Sequence, residues 1–470
     1  MAKETRAHFK RELNLLDATL LVVGSMVGSG IFIVSADIAR NTGSAGWLIL
    51  VWVIGGFMTL TAALSYGELS GMYPKAGGQY VYLKEAYNPL IAFLYGWSLF
   101  AVIQTGTIAA VGVSFSKFLA YFIPGVSEDL VWISIGNLQI SPAQLLAIGI
   151  IFLLTLVNTS GIKSGKWIQL IFTLTKILSI AGLIVFGFIY MDTDVVRSNW
   201  DEAFQLKRIL ADGSFLNYEG LPALGGALAA ALVGAIMSYE AWNNVTFVAG
   251  EINNPKRNIG LSLLLGTLLV TLIYVLLNVM FTLVLPLQDI AFAEKDRVGI
   301  DASHAIFGAG GTVIIALLIM VATFGCNNGL ILAGARVYYS MAKDGAFFRQ
   351  TGKLNRHGVP AIALWVQFVM ASVLCLSGKY GDLLDMITFI AVLFYVLTIV
   401  GIYILRKKAP HIERPYKAIG YPILPAVYIL LGAGFCILLI IYKPEYTWPG
   451  LIIALLGVPL YYLHKKFFKG

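Results

Sequence analysis

Twelve apolar runs, each long enough to cross a lipid bilayer, constrain this chain more than any other feature. About 20 consecutive apolar residues span the hydrocarbon core as a helix. The runs lie at roughly 15–41, 45–72, 88–121, 142–158, 166–190, 224–249, 259–285, 311–342, 360–377, 382–405, 420–442 and 447–464. Inside lipid no water completes a backbone hydrogen bond, so each run folds as a helix unless protein or a wet cavity surrounds it. A soluble domain carries roughly 25% charged residues; this chain of 470 residues carries 12%, with 58% hydrophobic. Runs and composition together predict an all-α polytopic membrane protein with 12 transmembrane helices and no separate soluble domain.

Basic residues orient the bundle, because Lys and Arg concentrate in cytoplasmic loops. With the N-terminus inside, 22 of the 33 Lys and Arg fall on the inner side and 8 on the outer, while Lys117, Lys176 and Arg336 lie within spans. Both termini are therefore expected in the cytoplasm, in a multi-pass cell-membrane protein. The same asymmetry accounts for the net charge of +8 without nucleic acid. The charged start "MAKETRAHFKRELN" is followed by a run lacking a signal-peptide cleavage site, so residues 1–14 read as a mature cytoplasmic tail. The long polar loops at about 191–223 and 286–310 then lie outside, where their mixed charge predicts short surface helices.

Several chemistries lose their support. Cys326, Cys375 and Cys436 each lie in an apolar run, so no disulfide framework is implied. His8, His304, His357, His411 and His464 fall in polar segments or at run ends, which leaves no facing pair for a haem. HExxH, CxxC and GxxxxGK[ST] are absent, against a metalloprotease, a redox carrier or an ATP-driven pump. No cofactor and no metal is expected, and the chain does not read as an enzyme.

The first run contains its own contradiction. In "VVGSMVGSGIFIVS" the triplet Gly28-Ser29-Gly30 is a poor helix former, each Gly costing up to about 1 kcal/mol against Ala. It lies about 20 Å into the span at 1.5 Å per residue, too deep for a cap. Gly24 and Gly28 also form GxxxG, the bland reading being close helix packing. A second site shifts the balance: "MSYEAWNN" in the sixth run places Glu240, Trp242, Asn243 and Asn244 together at mid-membrane, where each polar group needs a partner. The two sites open two halves of five spans. Interrupted helices at matching positions of two halves point to a secondary-transporter site, and an odd number of spans makes the halves inverted. The divisions expected are a first repeat at 15–190, an outer loop at 191–223, a second repeat at 224–405, and two extra spans with the C-terminus at 406–470. A broken helix frees N–H groups that suit a carboxylate and C=O groups that suit an ammonium. Two breaks meeting at mid-membrane would recognise an α-amino acid through main chain, with Gly and Ser leaving room for the approach.

These residues resemble the amino acid–polyamine–organocation superfamily, and within it the L-type amino acid transporter branch. The likeness runs through "VGSMVGSGIF", "ALSYGELSGMYPKAGGQYVYLKEAY", "SYEAWNNVTFVAGEINNPKRNI" and "RPYKAIGYPILPAVYIL" in order. It implies a LeuT-type five-plus-five inverted repeat working by alternating access. It implies substrate contacts from Val27, Gly28, Ser29, Gly30 and Ile31, and from Tyr239, Glu240, Ala241, Trp242 and Asn243, with Trp242 beside or over the substrate. It also brings Tyr274 of "LIYVLLN" near the first break. Animal members of the branch often join an ancillary subunit through a Cys between spans 3 and 4; the loop at about 122–141 has none, so no disulfide-linked partner is expected, and a monomer is compatible. The position of Glu240 is often small or apolar in relatives.

Lys176, in "FTLTKILSI", lies about 15 Å from the edge of the fifth span. A lysine at the bilayer centre costs about 2.5–3.5 kcal/mol on insertion scales and faces the bundle interior. In the resembling family a span-5 lysine fills the place where sodium-coupled relatives hold an ion. It would bond freed span-1 carbonyls and a span-8 partner such as Asn327 or Asn328. A fixed cation fits sodium-independent exchange; a titrating one fits proton symport. Glu68, Glu251 and Arg336 read as inner-gate or structural pairs. Gln104, Phe389, Phe394 and Tyr395 are open to either core or pocket. The reading is a sodium-independent exchanger of small neutral L-amino acids such as alanine, serine and cysteine. The alternative is a proton-coupled symporter, with cationic amino acids drawn by Glu240. An ion channel would want pore-lining repeats, and an intramembrane enzyme a nucleophile–base cluster; the sequence offers neither.

Overall fold

The computed structural model describes residues 9–135, 138–377 and 380–467. Tail residues 1–8, Lys379 and Lys469 lie outside them, as do the side chains of Lys163 and Lys166. Ten helices are long and apolar enough to cross a membrane. The bent pair Leu15–Met26 and Gly30–Thr42 adds span 1, and the shorter helix Ala361–Ser377 is span 9. The protein is thus an all-α membrane protein, and its apolar helices match the twelve runs.

Span 1 begins on a capping box, in which Asn14 and Asp17 satisfy each other's backbone N–H. Its second helix ends on Gly43 in the left-handed region, φ 61°. Span 2 (Ala45–Met72) packs along span 7 (Pro255–Val284), and span 5 (Ile162–Ile189) along span 8, the membrane part of Val298–Lys343. That long helix is kinked at Gly308, where a surface segment turns into the span. Span 1 lies among these helices. Its first part touches spans 5, 7 and 8, and its second runs along span 6 (Gly220–Ser238). Span 3 is one run with a defect: Pro89–Ser98 and Gln104–Phe122 are joined by a π-helical turn at Leu99–Ile103. Span 4 (Pro142–Thr159) packs on spans 3 and 9. Span 10 (Tyr380–Lys408) meets span 11 (Ile423–Tyr442) and span 12 (Pro444–Phe467) on the outside of the bundle.

Two expectations need correction. The sixth run, expected to break near Glu240 and carry on as helix to 249, ends its long helix at Ser238 and does not resume a long one. After an unwound stretch at 239–243 it forms one short turn, Asn244–Phe247, and a 3₁₀ turn, Ala249–Glu251. The tail docks just beyond these turns: Glu12 and Leu13 donate their N–H groups to the Glu251 carbonyl at 3.0 Å each, and Asn253 N–H returns to the Leu13 carbonyl at 2.8 Å. The loop at 191–223, expected as short helices, holds one helix, Thr193–Trp200, and an antiparallel hairpin pairing Lys207 with Asn217. Its turn is Asp212-Gly213, with Gly213 at φ 84° and Ser214 N–H on the Asp212 carboxylate. A second small hairpin, Ile133–Ile135 with Leu138–Ile140, lies between spans 3 and 4.

Candidate substrate site at two broken helices

The first helix of span 1 stops at Met26, residues 27–29 are non-helical, and the second helix starts at Gly30 after a bend of 44°. Helix ends leave carbonyls and amides without intrahelical partners, and each must be satisfied when buried. The carbonyl end is almost fully accounted for. Lys176 Nζ donates to the Gly24 and Val27 carbonyls at 2.6 Å each. Cys326 Sγ donates to the Ser25 carbonyl at 2.9 Å. Tyr274 O–H lies 2.9 Å from the Met26 carbonyl and 3.0 Å from the Ser238 carbonyl, the last residue of span 6's helix. One phenol therefore joins the two broken ends, with a single hydrogen shared between two acceptors.

The amide end is different. Ser29 occupies the N-cap position of Gly30–Thr42 but makes no side-chain cap bond. Its hydroxyl instead accepts from Ser114 of span 3 at 2.5 Å. Gly30 thus opens a helix N-terminus, where partial positive charge gathers, and it lines a cavity of about 40 Å³ together with Gly28, Ser29, Ser238, Glu240 and Cys326. A Cβ on Gly30 would lie 2.8 Å from Ser238 Oγ, and one on Gly28 would lie 3.1 Å from Cys326 Sγ, so only glycine lets the segments approach this closely. Ser25 Oγ, also on the cavity wall, is buried without a protein partner.

In span 6 the unwound stretch holds Ala241 at φ 71°, a left-handed conformation that costs a non-glycine residue roughly 1–2 kcal/mol. The turn carries Glu240 to the cavity wall, where it stays buried and accepts a hydrogen bond from Tyr395 O–H at 2.5 Å. Asn243 turns the other way, its amide donating to Gln79 Oε1 at 3.0 Å.

Of the sequence-predicted residues, Gly28, Ser29, Gly30, Glu240 and Ala241 meet on one cavity. Val27 and Ile31 are fully buried and do not line it. Tyr239 packs edge-on against Trp52 and hands its hydroxyl to the Trp52 carbonyl at 3.1 Å. Trp242 sits in an aromatic cluster with Tyr66 and Tyr395, at centroid distances of 4.7 and 5.2 Å, rather than on the cavity. Lys176 reaches the break, but its expected span-8 partners do not lie with it: Asn327 donates to the Ile108 carbonyl and Asn328 to Gln169. Cys326 takes that place, and sequence reasoning missed it, since a lone Cys in an apolar run carries no signature. Tyr395, open to core or pocket from the sequence, lies against Glu240.

Away from the cavity, one buried and one part-buried ion pair tie the tail side together. Arg336 of span 8 pairs with Glu251 at 2.9 Å, and Arg406 of span 10 pairs with Glu68 of span 2 at 2.7 Å. Glu68, Glu251 and Arg336, which the sequence marked as gate or structural charges, each have an ion-pair partner, and Glu68 also receives Arg414 at 3.3 Å.

Residues 13–460 match the family model described as amino acid permease. The chain belongs to the amino acid permease family. It is 30% identical to the human b(0,+)-type amino acid transporter 1 over 470 residues, covering 97% of this chain and 89% of that one. It is 28% identical to the serine/threonine exchanger SteT of Bacillus subtilis over 463 residues, 97% of each chain. It is 29% identical to the human large neutral amino acids transporter small subunit 2 over 456 residues, 97% of this chain and 80% of the relative. The permease is thus an amino acid transporter embedded in the membrane, and not an enzyme.

Proposed function

We propose that this permease is a sodium-independent exchanger of small neutral L-amino acids such as alanine, serine and cysteine. The observation that carries the reading is the uncapped N-terminus at Gly30 facing a cavity whose far wall includes Ser238. The substrate carboxylate takes the first-turn amides of Gly30–Thr42. The ammonium takes the Met26 and Ser238 carbonyls, which otherwise divide one Tyr274 hydrogen. Val27, Gly28, Ser29, Gly30, Ile31 and 239–243 form the substrate region, with direct contact from those on the cavity. Lys176 is the resident cation: it supplies to the freed carbonyls the charge a sodium ion would otherwise bring, which favours exchange without sodium. Repeats at 15–190 and 224–405, related by inversion, rock to expose the site alternately. Both termini face the cytoplasm of a plasma-membrane protein. The name of one relative makes it a small subunit; here the loop at about 122–141 has no Cys and the three cysteines are buried, which supports a chain without a disulfide-linked partner.

A second reading rests on Glu240, a buried carboxylate on the cavity wall. It would pair with a cationic side chain or take up a proton with the substrate. Proteoliposomes separate the readings. Influx of labelled alanine that requires unlabelled amino acid inside supports exchange. Influx driven by an imposed pH gradient alone, or a preference for arginine, moves the assignment to the second reading.

A further inference from the structure

We propose that Tyr395 is a specificity-determining residue: its hydroxyl is the internal donor that lets the Glu240 carboxylate face an uncharged side chain. The inference rests on the reading of the cavity as the substrate site.

Glu240 is a partition. On one side lies the cavity bounded by the two breaks; on the other lies a smaller one lined by Gln79, Tyr95, Gln104 and Asn243. The polar side chains lining the two cavities beside it come from spans 1, 3, 6, 8 and 10 and the helix Gln79–Ala86, and all are neutral. Among the described residues no Lys, Arg or His forms an ion pair with it, and Tyr395 is the side chain that donates to it. A buried carboxylate without donors or a counter-charge is strongly unfavourable. A cationic substrate would bring its own counter-charge. A neutral substrate brings none, so the donor must come from the protein.

Tyr395 is built to supply it. Its ring is held edge-on to Tyr66 at 6.2 Å and tilted against Trp242 at 5.2 Å. Its hydroxyl is 2.5 Å from Glu240 Oε1 and 3.4 Å from Asn243 Oδ1, so its one hydrogen goes to the carboxylate. Asn243 is in turn held by Gln79, and Gln79 by Thr398 one turn along span 10 from Tyr395, at 3.0 Å in each step. The phenol is therefore held by its ring packing and its bond to Glu240, beside a chain of neutral amides that ends on its own helix. It acts on the substrate through Glu240, as a positioning group that satisfies the charge when the substrate does not.

The test is a double-mutant cycle on the full-length protein, with Kd for L-alanine and L-arginine measured by isothermal titration calorimetry. Tyr395→Phe keeps the ring packing and removes the donor. Its alanine Kd is expected to rise about tenfold or more, the scale of one hydrogen bond to a charged group, while arginine binding does not weaken. In a Glu240→Gln background, where no charge needs a donor, Tyr395→Phe is expected to leave the alanine Kd within about twofold. An unchanged alanine Kd in Tyr395→Phe, or an equal loss in both backgrounds, overturns the role of Tyr395 alone. Wild-type protein that binds neither amino acid overturns the functional reading and this proposal together.

Discussion

Replacing Lys176 by methionine tests the accounting of the first break. Methionine is close in length and keeps the space filled, so the loss is electrostatic rather than a cavity. The substitution removes two charge-assisted bonds, to the Gly24 and Val27 carbonyls, both buried where no water reaches. Hydrogen bonds to charged groups contribute about 1.5–3 kcal/mol each, so the pair holds the broken conformation by roughly 3–6 kcal/mol, less the cost of burying the ammonium. The loss falls on the conformation that presents the Gly30 amides to substrate. Purified Lys176→Met protein should melt at a lower temperature than wild type. Its alanine exchange should weaken from both faces of the membrane, and choline in place of sodium should leave wild-type exchange unchanged. Unaltered melting and unaltered kinetics on both faces in Lys176→Met would remove this lysine from the mechanism. Sodium-dependent wild-type exchange would contradict its role as the resident cation.

Other substitutions probe separate parts of the same framework. Tyr274→Phe deletes the hydroxyl between the Met26 and Ser238 carbonyls and should destabilise the substrate-free protein by about 1–3 kcal/mol, with saturating alanine restoring part of the loss; thermal melting with and without alanine reads the change. Ala241→Gly relieves a left-handed residue and should raise the melting temperature, by roughly 1 kcal/mol of stability. Arg336→Ala strands the Glu251 carboxylate in a buried site and should cost about 3–5 kcal/mol, seen as a large drop in thermal stability. A small methanethiosulfonate reagent should block exchange through Cys326 on the cavity wall, saturating alanine should protect, and Cys326→Ser should be insensitive.

Much of this architecture was legible because lipid leaves a chain few options. Twelve runs meant twelve helices, and Gly28-Ser29-Gly30 at mid-depth meant a break, which lies at 27–29. The cluster of Glu240, Asn243 and Asn244 likewise marked the unwinding of span 6. What followed the second break was not legible: Val245 to Gly250 is largely apolar and reads as helix, yet the chain forms one short turn and a 3₁₀ turn before the tail docks at 251–253. The hairpin at 207–217 was signalled by Asp212-Gly213 but hidden by its charged flanks. Side-chain direction was the hardest part. Neighbours on a helix point about 100° apart, so Cys326, Asn327 and Asn328 face the break, span 3 and span 5 in turn. Choosing the wrong one of three adjacent residues moved Lys176's neighbour from a thiol to an amide. Trp242 shows the same limit, one residue past the cavity wall and turned into an aromatic cluster.

The central claim is that main-chain groups of two unwound segments hold both charged ends of an amino acid. Competition binding by L-alanine, its amide and its N-acetyl derivative tests this most directly, because each analogue masks one end and keeps the side chain. The account predicts that either mask weakens binding about tenfold to a hundredfold, the scale of losing charge-assisted bonds. Binding of either analogue as tightly as alanine itself would contradict it.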